Sequence, residues 1–281
     1  MAKIINGKEI SAQIREQIKE ETLKMQEENG VTPGLAVIIV GDDPASKVYV
    51  ANKKKACAEV GFYSEEYALP EETDEHSLLE LIDKLNKRPD IDGILVQLPL
   101  PKHIDAKKIV DSIRPDKDVD AFHPVNVGRI MIGDYTLAPC TPSGVMELIR
   151  STGVTVEGKN CVVVGRSDIV GKPQAMLLLH ENGTVTICHS KTKDLAGITK
   201  KADILVVAVG RAGFITGDMI KKGAVVIDVG MNRNEEGKLV GDVDFDSAAE
   251  VAGYITPVPG GVGPMTITML LRNTLRAAEN H

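Results

Sequence analysis

An α/β chain of two domains is the fold class that the sequence predicts, and three observations predict it. Apolar, strand-like runs such as 35–40, 93–97, 160–165, 204–209 and 224–228 are separated by stretches with helical spacing, which implies mainly parallel sheets. The chain has 281 residues, enough for two compact domains that each bury a core. Apolar residues make up 43% while aromatics make up 3% and Trp is absent, so Val, Ile, Leu, Ala and Met must fill those cores, as in parallel sheets under helices.

The elements follow in order. A helix is expected over Lys8–Glu28, where Ile10, Ile14 and Ile18 share one face, and a strand over Leu35–Val40. A helix from Pro44 to Val60, a strand from Tyr63 to Leu69, a helix from Glu72 to Asn86 and a strand from Gly93 to Gln97 come next. Residues 116–142 break the alternation with irregular polar sequence, and a domain boundary is placed there, giving a first domain over 1–120 and a second over 140–263. The second series opens with a strand at Asn160–Gly165, a helix at Val170–Glu181 closed by Asn182-Gly183, and a strand at Thr184–Cys188. Strands at Ile204–Val209 and Ala224–Asp228 continue it in the manner of a doubly wound nucleotide domain. Asn232–Val243, with Glu236-Gly237 at its middle, reads as a polar hairpin or arm. The segment 264–281 has the length and apolar spacing of a helix and is expected to pack back on the first domain.

Composition excludes several classes. A net charge of −7 and the lack of a basic cluster interleaved with aromatics argue against a nucleic-acid partner. The run Lys53-Lys54-Lys55 is a pattern found more often on a solvated helix face than in a phosphate groove. No stretch reaches the roughly 20 apolar residues of a membrane span, and the N-terminus lacks a charged-then-apolar leader pattern, so a cytoplasmic protein with no membrane partner is expected. Cys57, Cys140, Cys161 and Cys188 show neither C-x-x-C nor Cys/His ligand spacing, so reduced, buried thiols are expected, with no metal and no disulfide.

The stretch Val162–Pro173 carries the most chemistry. An apolar β-branched strand runs into a turn at Gly165-Arg166-Ser167 and then into a helix, leaving backbone N–H groups at a helix start free to bind phosphate. The spacing departs from G-x-G-x-x-G, since Ser167 holds the second glycine position and the third glycine is displaced to Gly171. An NAD site carries an acid about 20 residues on, at the end of the next strand. Here Cys188-His189-Ser190-Lys191 stands in that place, so no carboxylate repels a 2′-phosphate, while Arg166 and Ser190, with Lys191 as a further candidate, can bind one. NADP is favoured over NAD. The plain alternative is an ordinary βαβ unit whose Gly165 only turns the chain.

In the second helix Ser46, Tyr49 and Lys53 lie at i, i+3 and i+7 and share a face. That stripe is either a solvated face or a site built on a rigid helix. Gln97 favours the site, because it ends an apolar strand just before Leu98-Pro99, and ligands of open α/β sheets bind outside the carboxyl ends of strands. Asp118-Val119-Asp120 brings carboxylates to the boundary, as a site, a turn or a helix cap. In Pro257–Thr266 three glycines among prolines make a loop of fixed shape that a ligand can approach closely, or else an elaborate helix start.

Taken together, Tyr49–Lys53, Val96–Pro101, Lys117–Asp120, Pro139–Pro142, Gly165–Pro173, Cys188–Ser190 and Pro257–Thr266 resemble one family over essentially the whole chain. It is that of the bifunctional methylenetetrahydrofolate dehydrogenase/methenyltetrahydrofolate cyclohydrolases. Ala121, where the family usually has glycine, and Met231, where isoleucine is frequent, depart from the pattern.

The resemblance implies two α/β domains with a cleft between them, the second a Rossmann-type NADP-binding domain, and two reactions. Hydride passes from 5,10-methylenetetrahydrofolate to NADP⁺, and the methenyl product is hydrolysed to 10-formyltetrahydrofolate, in one-carbon metabolism and purine biosynthesis. It further implies that Lys53 is the key cyclohydrolase residue, that Tyr49 orients the pterin, that Gln97 supports Lys53 and that Asp120 holds the polar edge of the pterin. Ser46, Leu98, Pro259, Gly260, Gly261, Val262 and Gly263 would complete the folate contacts, and Gly165, Arg166, Ser167, Ser190 and Met231 the NADP contacts. Similar proteins are homodimers joined through the nucleotide domains, for which 232–243 is the candidate arm. The competing reading is an NADP-dependent dehydrogenase of another small substrate without cyclohydrolase activity; a non-catalytic nucleotide-binding protein of the same fold is the other.

Overall fold

The computed structural model describes residues 1–280, apart from the side chain of Ala45; His281, the last residue of the expected 264–281 segment, lies outside the described residues. In chain order the elements of the first half are β1 (Lys3–Ile4), α1 (Gly7–Asn29), β2 (Gly34–Val40), α2 (Pro44–Val60), β3 (Tyr63–Leu69), α3 (Glu75–Lys87), β4 (Gly93–Val96), α4 (Ala106–Ser112), α5 (Pro124–Ile132) and α6 (Cys140–Ser151). The second half holds β5 (Asn160–Val164), α7 (Gly171–His180), β6 (Thr184–Cys188), α8 (Leu195–Thr199), β7 (Ile204–Val207), β8 (Val225–Asp228), β9 (Asn232–Arg233), β10 (Leu239–Val240), α9 (Phe245–Val251), β11 (Tyr254–Ile255) and α10 (Val262–Glu279). The chain divides into two compact units, one of residues 13–140 with the segment from Ile267 onward, the other of 1–12 and 141–266.

In the first unit β2 is the middle of a parallel three-stranded sheet, with β3 and β4 on either side. Covered on both faces, β2 is buried along its whole length, which is why it reads as an unbroken apolar run; the edge strand β3 is half-exposed and polar. Helix α3 turns Leu78, Ile82 and Leu85 inward onto Ala36, Ile38, Ile94 and Val96. It begins at Glu75, later than the expected Glu72, because Asp74 caps it by accepting the Ser77 N–H at 2.9 Å. The expectation of irregular sequence over 116–142 is corrected by α5, which starts at Pro124 with His123 capping the Val125 N–H and ends at Gly133. From Ile267 onward α10 belongs to this unit, where the buried Asn273 donates to the carbonyls of Val119 and Ala138, both at 2.8 Å.

The second unit carries a six-stranded sheet in the order β1-β11-β8-β7-β5-β6, every neighbouring pair parallel. Counting from β5, its strands run 2-1-3-4-5, the doubly wound order in which the topological switch point falls between the first and third strands, here β5 and β7. Its core packs Val162, Val164, Leu205, Val207, Val226 and Ile255 against Ala248 and Ala252 of the covering elements. Residues 1–12 lie in this unit and not with 13–120: Ala2, Lys3 and Ile5 donate to the carbonyls of Ala249, Gly253 and Ile255, which adds β1 to β11 at the sheet edge. Strands β9 and β10 pair antiparallel and make 232–240 a small hairpin. No helix among the described residues is long and apolar enough to cross a membrane.

Candidate active site

Helix α2 starts sharply because Asp43 accepts the Ser46 N–H at 2.7 Å and Pro44 sits in the first turn, where it has no hydrogen bond to lose. Its start fixes which face turns inward: Ser46, Val50, Lys53, Cys57 and Val60 are buried, whereas Lys54 and Lys55 are exposed. The three-lysine run is therefore a solvated face with one member folded in. Lys53 is only 8% exposed, and its Nζ donates to Gln97 Oε1 at 2.8 Å. Gln97 follows β4, and its Nε2 donates to the Leu98 carbonyl at 2.7 Å, which aims Oε1 at the amine. Burial pushes the Lys53 pKa below the ordinary lysine value, with Asp120, Cys140 and Cys57 pulling it back. Tyr49 is half-buried one turn before Lys53, and burial raises its phenol pKa above the ordinary value.

Asp120 faces Lys53 from the loop between α4 and α5. Burial raises its carboxyl pKa and the Lys53 charge lowers it. The Cys140 thiol lies 3.7 Å from Asp120 Oδ1 and donates to the Val119 carbonyl at 3.4 Å, the same oxygen that Asn273 reaches from α10. Asp118, by contrast, is a structural acid. It accepts from the His123 N–H at 2.7 Å and from Asn126 at 2.9 Å, and burial lifts its pKa to about 6. Ala121 stands at φ +56° and is fully buried. The glycine usual in the resembling family adopts this left-handed conformation without a side-chain penalty.

In the second unit the turn after β5 is built on two close approaches. A Cβ on Gly165, which has φ +136°, would strike the Ala208 carbonyl at the end of β7, and one on Gly171 would come within 2.7 Å of the Arg166 nitrogen. Ser167, in the second glycine's place, uses its Oγ to accept the Val170 and Gly171 N–H groups, both at 3.2 Å, and so holds the start of α7. Arg166 and Ser190 are exposed, each two residues beyond the paired Val164 and Cys188 on adjacent strands. The one acid of the turn, Asp168, is paired with Lys172. An open glycine turn at the switch point, with an exposed guanidinium and an exposed hydroxyl just past the ends of adjacent strands, fits a dinucleotide with a 2′-phosphate. Met231 is 51% exposed just past β8.

Pro259–Gly263 also lies in the second unit. Gly261 packs on the start of α1 so closely that a Cβ on Gly7 would strike its carbonyl, and Val262 and Gly263 open α10. Sequence reasoning missed Cys140 and Asn273 as partners of the Asp120 loop, although Asn273 is a polar residue in an otherwise apolar helical stripe. It also missed the buried pair Asp228 and Asp242, 4% and 0% exposed, beside β7 and β8. Among the described residues no group of three or more His, Cys, Asp or Glu side chains is placed to hold a metal ion.

The chain was compared with known proteins. The family model described as tetrahydrofolate dehydrogenase/cyclohydrolase, catalytic domain, matches residues 5–120, and that described as its NAD(P)-binding domain matches 139–281. The bifunctional protein FolD of Acetivibrio thermocellus is 63% identical over 99% of this chain and 97% of its own length, and that of Moorella thermoacetica 61% over 99% of both. Among solved structures, the Campylobacter jejuni FolD methylenetetrahydrofolate dehydrogenase/cyclohydrolase superposes with TM-score 0.97 at 49% identity, covering 100% of this chain and 99% of its own. The Trypanosoma brucei enzyme, complexed with NADP cofactor and inhibitor, superposes with TM-score 0.94 at 44% identity, covering 99% and 98%. With both family models matched in order along the chain, and with the glycine turn and the buried lysine in place, this protein belongs to the tetrahydrofolate dehydrogenase/cyclohydrolase family.

Proposed function

We propose that Lys53 is the proton carrier in the hydrolytic half of a two-reaction enzyme. The chain oxidises 5,10-methylenetetrahydrofolate with NADP⁺ to the methenyl cation and hydrolyses that cation to 10-formyltetrahydrofolate. When bound, NADP⁺ supplies the hydride acceptor of the first reaction. The folate nitrogens stabilise the cation that results, so that step needs alignment more than an acid or base. Hydrolysis is different. Water adds to the methenyl carbon and loses a proton; the hydroxyl of the adduct then gives up its proton as the C–N5 bond breaks and N5 gains one.

The observation that carries this reading is the buried amine of Lys53, fixed by Gln97 Oε1 at 2.8 Å and shifted by burial toward its neutral form. A neutral amine takes the proton from water and its conjugate acid returns one to N5. Gln97 positions the amine, Tyr49 presents its ring one turn away to orient the pterin, and Asp120 takes the polar edge of the pterin. Ser46 and Leu98 add contacts around it.

In the second unit Gly165, Arg166, Ser167, Ser190 and Met231 hold NADP, Arg166 and Ser190 by its 2′-phosphate. The enzyme is cytoplasmic, supplies formyl groups for purine biosynthesis, and is a homodimer joined through the hairpin 232–243. Replacing Lys53 with Met tests the assignment: hydrolysis is lost while oxidation survives in part.

A further inference from the structure

Where the strands β7 and β8 end, the backbone is held by two buried carboxylates that the reactions above do not use. The β7 ladder ends with the Ala208 N–H on the Val164 carbonyl, 2.8 Å away. The next three N–H groups all turn to Asp242: Val209 and Gly210 donate to Oδ2 at 2.6 and 2.9 Å, and Arg211 donates to Oδ1 at 2.7 Å. Asn232 of β9 gives Oδ1 a second donor at 2.9 Å. A carboxylate has about four acceptor positions, so Asp242 is saturated and has none left for a ligand. Its neighbour Asp228 closes the same corner, accepting the N–H groups of Gly230, Asp242 and Val243, each at 2.9 Å. The approach is so close that a Cβ on Gly230 would strike the Asp242 carboxyl, and one on Gly241 the Asp228 carboxyl.

The segments held this way are not core strands, which have their own ladders. They are the loop after β7 and the start of the hairpin after β8, on the carboxyl side of the sheet. The loop after β7 lies at the switch point, against the Gly165 turn, where doubly wound domains receive a dinucleotide. We infer that Asp242 is a positioning residue of the NADP site, holding the loop after β7 in the shape that receives the dinucleotide, while Asp228 fixes Asp242. This rests on the NADP-binding reading of the second unit.

Asp242→Asn keeps the size of the side chain but not its accepting power. One oxygen of the amide serves two donors, and its NH₂ faces the other two. NADP⁺ is titrated by calorimetry into the wild type, Asp242→Asn and the milder Asn232→Ala, and hydrolysis of methenyltetrahydrofolate without NADP is followed on the same preparations. The expected result is a Kd for NADP⁺ raised at least about tenfold in Asp242→Asn and about threefold in Asn232→Ala. KM for NADP⁺ rises with it, and hydrolysis stays within about twofold of wild type. An unchanged Kd in folded Asp242→Asn overturns the inference. So does a loss of hydrolysis in step with binding, which would make Asp242 a support of the whole fold. If Asp242→Asn does not fold, Asn232→Ala decides, and a wild-type Kd there overturns the inference. Failure of the wild type to bind NADP⁺ would refute the cofactor reading itself.

Discussion

Lys53→Met replaces the buried amine with an apolar side chain of nearly the same length, and its two consequences have different sizes. General acid–base catalysis contributes about 10²–10⁴-fold, or roughly 3–5 kcal/mol of barrier, and hydrolysis of the methenyl substrate should fall by that factor. Stability should change much less. Gln97 Oε1 loses the donor now 2.8 Å away, a cost of about 1–3 kcal/mol for a buried acceptor, softened here because Gln97 is half-exposed. Against this, the Lys53 pKa is lowered by burial, so the folded state binds its proton less well than the unfolded chain. Below the folded pKa the native state bears the full cost of the buried charge, and stability rises as pH climbs through that pKa toward the unfolded value near 10.4. Met carries no such cost at neutral pH, so the melting temperature should stay within a few degrees. Decay of methenyl absorbance, corrected for the enzyme-free rate, measures hydrolysis; NADPH formation from methylenetetrahydrofolate measures oxidation. Methenyl hydrolysis at the wild-type rate in Lys53→Met would refute the reasoning.

Arg166→Ala should raise the KM for NADP⁺ far more than that for NAD⁺, since only NADP⁺ offers a 2′-phosphate; equal effects would place the guanidinium on a group that both cofactors share. At Ala121, glycine relieves a left-handed φ worth about 1–2 kcal/mol but loses a buried methyl and some unfolded-state advantage, so Ala121→Gly should leave stability within about 1 kcal/mol. Ala121→Val, overpacked and β-branched at the same φ, should lose about 2–4 kcal/mol and raise the folate KM by displacing Asp120, as thermal unfolding and kinetics will test. Replacing Arg233–Leu239 with a short glycine turn should shift the protein toward monomer in light scattering at micromolar concentration, with folate binding kept; a variant that stays fully dimeric removes the hairpin from the interface.

What could be read in the sequence was local. The start of α2 and the break between α7 and β6 are marked by Pro44 and Asn182-Gly183, and the structure places α2, β3 and β6 over the expected spans. Two-residue strands such as β1 and β11 carry no period to read, so the move of residues 1–12 into the second unit was invisible. Helix α5 hid in sequence that looked irregular because it is short and shows Val127, Met131 and Ile132 to the outside. The same limit applies to the site. The spacing put Ser46, Tyr49 and Lys53 on one face, but only the fold tells which lysine of the run is buried, since burial depends on Gln97, Asp120 and Cys140, far away in sequence. Asp242 is the extreme case: its donors come from 209–211 and 232, and nothing within its own neighbourhood marks it as more than a surface acid.

The central claim, that one chain carries both activities, is tested most directly by mixing the wild-type protein with 5,10-methylenetetrahydrofolate and NADP⁺ and recording NADPH fluorescence and methenyl absorbance together. The account predicts that NADPH accumulates while methenyl rises only transiently and then decays faster than without enzyme, as 10-formyltetrahydrofolate forms. Methenyl that builds up one for one with NADPH and decays only at the enzyme-free rate would show a dehydrogenase without cyclohydrolase activity and contradict it.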